Sequence, residues 1–235
     1  MMLAMWVKMS FSEADEALGL TRFEKFDAGF DAAYVHSGHL RADGDWTGGD
    51  LRAAVGVGED ESLGELVMFV VDGDLTVDGV LDLDGGARES LGLLVTGALT
   101  ARIVDVDATM LFVFGGADIA RLIKFTTTDG TLSIAGRTRC PLVIFDEGDL
   151  NVTATGHILS RRSEGPAEPY EAESAESDDD IPGWGWPTVT LTRAEVPAAL
   201  DESLYDDQNW VDGERELAFA RAGRPLLRAD YPALG

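Results

Sequence analysis

The chain has 235 residues, 45% of them hydrophobic, with 43 acidic against 18 basic side chains and a formal charge of −25. Length and apolar content suit one domain with a buried core, or two small ones. The charge excludes direct binding to phosphate backbones and anionic membranes and favours a basic protein partner; solubility in an arginine-rich, lysine-poor proteome or adaptation to high salt are competing explanations.

Residues 1–35 are predicted to form an N-terminal cap. Met1 to Met9 is too short for a signal peptide and lacks its small-residue cleavage site. Four methionines in those nine positions point to Met9 as the start. Ser10 to Gly19 reads as a short helix, capped by Ser10 with Glu13 or by Ser12 with Asp15 and stopped at Gly19. Phe23, Phe26 and Phe30 supply bulk to cover the strand edges that follow.

Residues 36–159 carry the main pattern. A short apolar strand, a glycine, a second alternating strand and a polar break recur, with landmarks Gly73, Gly97, Gly115 and Gly136 spaced by 24, 18 and 21 residues. Such self-similarity marks a stacked repeat whose units cannot bury an apolar face alone. Strands this short leave no room for crossover helices. The expected fold is therefore mainly β, a right-handed parallel β-helix of five or six coils; an ordinary β-sandwich is the alternative. Gly49-Asp-Leu-Arg-Ala repeats the unit 24 residues before Gly73, and Gly38-His-Leu-Arg-Ala reads as a degenerate copy. The second and fourth residues after each glycine share the inward face: Leu51/Ala53, Leu75/Val77, Leu99/Ala101, Ala117/Ile119 and Thr138/Cys140. Stacked at about 4.8 Å per coil, the repeats make a rod roughly 25–30 Å long.

Residues 160–183 change character. Arg161-Arg-Ser-Glu-Gly-Pro-Ala-Glu-Pro is followed by acids ending in Asp178, Asp179 and Asp180, the composition of a solvated linker or of an acidic arm that docks on a basic partner. Residues 184–235 read as a C-terminal cap or subdomain with two helices. One carries Val196, Leu200 and Leu204 on one face; the other spans about 213–222, between Asp212 and Gly223. Trp184 and Trp186 read either as a binding patch or as cover for the solenoid end.

Chemistry-bearing motifs are sparse. The sequence has no phosphate-binding glycine loop, zinc helix or nucleophile elbow, and its one cysteine, Cys140, cannot form an internal disulfide and reads as core filling. No apolar run approaches 18 residues, so a cytoplasmic protein is expected. His36 and His39 could share a metal only across a turn; His157 stands apart. Asp72/Asp74, Asp82/Asp84 and Asp105/Asp107 place paired carboxylates on strand faces. If the last two pairs occupy neighbouring coils, like charges stack and need compensation, for which calcium is one candidate. Acid pairs on β-solenoids also serve sugar cleavage, though so few coils leave little room for a groove. Asp78 and Arg102, each five past its glycine, are candidates to pair across coils. Solvated turns remain the plainest reading, with no cofactor, metal or catalytic residue assigned.

Units such as Val71-Asp-Gly-Asp-Leu-Thr-Val-Asp-Gly79 and Leu94-Val-Thr-Gly-Ala-Leu-Thr-Ala101 resemble those of bacterial short right-handed β-helix proteins, the bactofilin-like or polymer-forming cytoskeletal type. The closing Ala218-Phe-Ala-Arg-Ala-Gly-Arg-Pro-Leu-Leu-Arg228 is similar to the tail of a subset found beside polymorphic toxins. That subset implies an immunity protein that binds and neutralises a cognate toxin, here a basic nuclease or nucleic-acid deaminase. Candidate contacts are Asp178, Asp179, Asp180, Trp184, Trp186, Asp206 and Asp207. A self-assembling scaffold and a carbohydrate-active enzyme are the alternatives, and a homodimer is left open. Bactofilins are essentially bare solenoids, whereas helical caps on this chain would block end-to-end growth.

Overall fold

Strand alternation and the glycines between strands build three parallel ladders into one curled sheet. The computed structural model describes residues 5–20, 29–58, 66–84, 91–107, 109–126, 130–145, 149–154, 157–160, 190–191, 200–204 and 213–228. The first ladder joins β2 (Ala32–Ser37), β5 (Val67–Asp72), β7 (Leu91–Val95), β9 (Met110–Val113), the start of β11 (Thr131–Arg139) and β13 (Asp149–Ala154). The second joins β3 (Leu40–Ala42) to the first halves of β6 (Leu75–Asp84), β8 (Leu99–Asp107) and β10 (Ala117–Phe125), then to the end of β11. The third runs from β4 (Trp46–Thr47) through the second halves of β6, β8 and β10 to β12 (Leu142–Phe145), β14 (His157–Ser160) and β15 (Thr190–Leu191). Register shifts at Val77/Val80, Ile119/Leu122 and Ile134/Arg137 bend the long strands from one ladder into the next. Parallel pairing throughout these ladders removes the antiparallel sandwich as an alternative.

The landmark glycines form a column at the corner between the first two ladders. The amide of Gly97 donates to Gly73 O (2.9 Å), Gly115 to Gly97 O and Gly136 to Gly115 O (both 3.0 Å). A Cβ on Gly97 would lie 2.7 Å from the Gly73 carbonyl, and one on Gly115 would lie 2.6 Å from that of Gly97. Backbone is stacked on backbone there, so only glycine fits. The column continues to Gly38, whose carbonyl carbon is 2.6 Å from a Cβ on Gly73.

Gly49 is not in that column, which corrects the extension of the repeat. It lies in helix α2 (Gly48–Ala54), where Thr47 and Asp50 form a reciprocal capping box. Leu51 is buried as expected, but Ala53 is exposed. Inward positions in the other repeats behave as read. Leu40, Leu75, Leu99, Ala117 and Thr138 pair in register. With Val77, Ala101, Ile119 and Cys140 they join the buried interior beside Phe69 and Phe125. Each large apolar side chain buried there contributes about 1.5–3 kcal/mol of transfer free energy.

Two outer faces of the sheet are apolar as well, which the alternating pattern did not anticipate. β5 and β7 are buried at nearly every position because parallel strands are covered on both sides. Over the first ladder, Ala33, Val35, Met68, Val70, Leu94 and Phe112 are covered by the N-terminal segment, through Ala14, Leu20 and Phe30. That segment holds α1 (Phe11–Leu18), capped by the Ser10–Glu13 pair and closed by Gly19 at φ 64°. Ahead of it, β1 (Trp6–Ser10) pairs antiparallel with β2, so Trp6 to Lys8 belong to the folded sheet. Phe23 and Phe26 lie outside the described residues.

Over the third ladder, Val80, Ile103, Leu122, Leu142 and Ile144 are covered by Leu200, Leu204, Ala220 and Leu226. The described C-terminal segment covers a side of the sheet, where the sequence left an end cap or a subdomain open. The expected two helices are corrected: α3 (Gly213–Arg221) is present, but Leu200 makes an antiparallel bridge with Leu227, and Glu202–Leu204 is a 3-10 turn. Residues 192–199, including Val196, lie outside the described residues, as does the acidic stretch 161–180.

Candidate functional site

With both neighbours covered, the outer face of the second ladder is the open one among the described residues. It presents the third residue after each column glycine: Arg41, Thr76, Thr100, Asp118 and Arg139, paired in register in that order. Arg41 forks onto Asp78, with Nε at 3.2 Å from Oδ2 and Nη2 at 2.7 Å from it. Asp43 stands 3.7 Å from the same guanidinium with its side chain 95% exposed. Arg139 meets Asp118 at 3.3 Å. Exposed pairs of this kind stabilise a fold by only about 0–1 kcal/mol, so these charges are available to a partner at little cost to stability. The row is easily missed in the sequence, because the apolar periodicity marks only the inward positions. The signal was present one residue away, where every third residue after the glycine is polar.

The expected pairing of Asp78 with Arg102 does not form. Asp78 takes Arg41, and Arg102 reaches toward the Arg221 carbonyl at the end of α3 (3.5 Å). Arg121 donates to Gly223 O at 3.0 Å, so two arginines of the sheet face the carbonyl-rich end of that helix.

Paired aspartates divide into two kinds. Asp72 and Asp74 are corner residues: Asp72 accepts from the Thr96 hydroxyl (3.1 Å) and Asp74 from the Ala98 amide (2.8 Å). Asp45 plays a similar part at the next corner, accepting from the Val80 amide (2.9 Å). Asp82 and Asp105 do stack, in register on β6 and β8, as do Asp84 and Asp107 along the backbone. Two cations compensate the first pair. Lys124, in register with Asp105 on β10, places Nζ 3.8 Å from its carboxylate, and Arg221 of α3 lies 3.7 Å from Asp82. At 3.8 Å the lysine contact is ionic rather than a hydrogen bond, yet both side chains are largely buried (14% and 11% exposed). Lys124→Met is expected to cost about 2 kcal/mol in denaturant unfolding, and a second change, Asp105→Asn, to recover most of it.

His36 packs beside Trp6 (5.5 Å between ring centroids), whereas His39 follows the Gly38 turn and approaches Asp74. Among the described residues, no group of three or more acids, histidines or cysteines could hold a metal ion. Cys140 is buried, and burial pushes its thiol up to about 12. The folded protein is expected to resist a thiol-specific disulfide reagent at pH 8 and to react promptly once unfolded; fast labelling of the native state would contradict that burial.

Asp178, Asp179, Asp180, Trp184, Trp186, Asp206 and Asp207 all lie outside the described residues, as does the side chain of His157. Between β10, β12 and the C-terminal segment lies a shallow cleft of about 210 Å³, small beside the pockets that enclose small-molecule substrates. Among the described residues no helix is long and apolar enough to cross a membrane. No family model, curated protein or solved structure matches the chain.

Proposed function

We propose that the chain winds as a right-handed parallel β-helix and works as a non-catalytic cytoplasmic binding protein, an immunity-type inhibitor that seats a basic toxin on its open face. One observation carries the reading. Among the described residues, the chain's own segments cover the first and third ladders and leave the outer face of the second open, with a row of exposed charges on it. The partner's sign follows from the formal charge of −25, which steers a basic protein toward this molecule and raises its rate of encounter. A nuclease or nucleic-acid deaminase, with a cationic substrate groove, is the matching toxin class.

The competing scaffold needs both sheet ends free for stacking, and here β1 occupies the edge of β2. A sugar-cleaving site needs two free acids beside a groove, and the stacked Asp82 and Asp105 are engaged by Arg221 and Lys124. Both readings are therefore weaker. The test is affinity capture from the protein's own cell lysate, comparing the parent with Asp43→Lys combined with Asp78→Asn. One basic protein, recovered near one-to-one, loosened by salt and lost with the double variant, supports the proposal. Recovery that ignores both salt and the substitutions, or of the chain alone, overturns it.

A further inference from the structure

The cleft beside the C-terminal segment combines apolar walls with two arginines. Its walls include Ala120, Pro141, Leu142 and Leu227, and the exposed Arg121 and Arg224 border it. Both guanidinium groups are held in place before any ligand arrives. Arg121 Nη1 donates to the Gly223 carbonyl at 3.0 Å, which leaves its remaining N–H donors for another acceptor. Arg224 stacks over the Phe219 ring, 3.6 Å from its centroid. The nearby Asp201 is an ionised carboxylate that offsets part of the Arg224 charge: the Ser203 hydroxyl and amide (3.0 Å) donate to it, and those bonds, with smaller help from Arg224 and Arg228, hold it below the usual carboxylate range.

We propose that this cleft docks a segment of a partner protein that presents one apolar side chain next to a carboxylate. The apolar group fills the space over Leu142 and Leu227, and the carboxylate is held by Arg121 and Arg224. Charge complementarity selects the acid, since an apolar hole bordered by two fixed guanidinium groups suits an anion with a greasy neighbour. Volume selects a peptide: about 210 Å³ takes one side chain, below the roughly 300–1,000 Å³ in which small molecules are enclosed. Preorganised arginines lower the ordering cost of binding. This site is separate from the open face of the second ladder and does not depend on it.

The test uses the full chain and three acetylated, amidated peptides, Gly-Asp-Leu-Gly, Gly-Asn-Leu-Gly and Gly-Asp-Ala-Gly, with benzoate as a fourth probe, at physiological salt. Binding is followed by NMR through the leucine methyl and arginine side-chain signals. The Asp-Leu peptide is expected to bind at least fivefold more tightly than either control peptide and than benzoate. Ala120→Trp, which fills the cleft from an exposed position, is expected to weaken it tenfold or more, and Arg224→Gln about fivefold, with thermal unfolding of each variant checked against the parent. Equal affinity of the Asp and Asn peptides, equal affinity of benzoate, or binding unaffected by Arg224→Gln in a folded variant would each overturn the proposal.

Discussion

Gly97→Ala is expected to lose about 3 kcal/mol or more in denaturant unfolding, one of the largest effects available to a single added methyl group in this chain. The new Cβ would crowd the Asp74 carboxylate that accepts from the Ala98 amide, and it would sit 2.7 Å from both the carbon and the oxygen of the Gly73 carbonyl, backbone that cannot swing aside. Relief requires the two strands to separate locally, which strains the Gly97-to-Gly73 hydrogen bond and the one from Gly115 to Gly97. Gly49→Ala supplies the contrast. Its Cβ would meet only the Thr47 hydroxyl oxygen at 3.4 Å, inside a helix where alanine is favoured over glycine by up to about 1 kcal/mol. That variant is expected to be neutral or slightly more stable. Similar losses for the two would show that the column does not stack as described.

Leu204→Asp is expected to release the C-terminal segment while the ladders persist. Leu204 is fully buried among Leu200, Ala220 and Leu226, over the apolar stripe of Val80, Ile103 and Leu122. A carboxylate there loses the leucine contacts and leaves a charge in apolar surroundings, together about 3 kcal/mol or more against docking. Polar contacts such as Arg121 on Gly223, Arg102 on the Arg221 carbonyl and Arg221 on Asp82 involve exposed arginines, and exposed contacts of that kind contribute little each. Faster tryptic cleavage within α3 and new binding of a hydrophobic dye should follow, with much of the β circular dichroism retained. Ala218→Asp, on the exposed side of α3, should change stability by only about 0.5 kcal/mol. Unchanged cleavage in Leu204→Asp would mean that the segment is not held by this contact.

What could be read from sequence depended on how local the cause was. The register from Leu75 to Leu99 to Ala117 was legible because a glycine corner and a period of two leave few other arrangements. Gly49 misled because Gly-x-Leu-x-Ala has the same letters in a helix and in a strand. The Thr47–Asp50 capping box, and the 35 residues separating Gly38 from Gly73, carried the distinction. Val67-Met-Phe-Val-Val71 is an unbroken apolar run, and such a run signals cover on both faces. That sign points to outer layers at the sides, a more specific placement than the end cap or subdomain that the helix pattern alone offers. For Asp82 and Asp105, the stacking itself was legible. Lys124 followed from the next register, but Arg221 arrives from a distant part of the chain, and no spacing rule announces it. The open face was written in the sequence too, as Arg41, Thr76, Thr100, Asp118 and Arg139. It became recognisable as a face only once its neighbours were seen to be covered.

Among the described residues the outer face of the second ladder is open, and the proposed reason is that a partner covers it. Hydrogen exchange on the captured complex, compared with the free chain, tests it most directly. Slower exchange concentrated in residues 40–43, 75–78, 99–101 and 117–119, with the covered first and third ladders little changed, is the predicted result. Protection that leaves those segments untouched and falls instead on α1 or α3 would contradict the account.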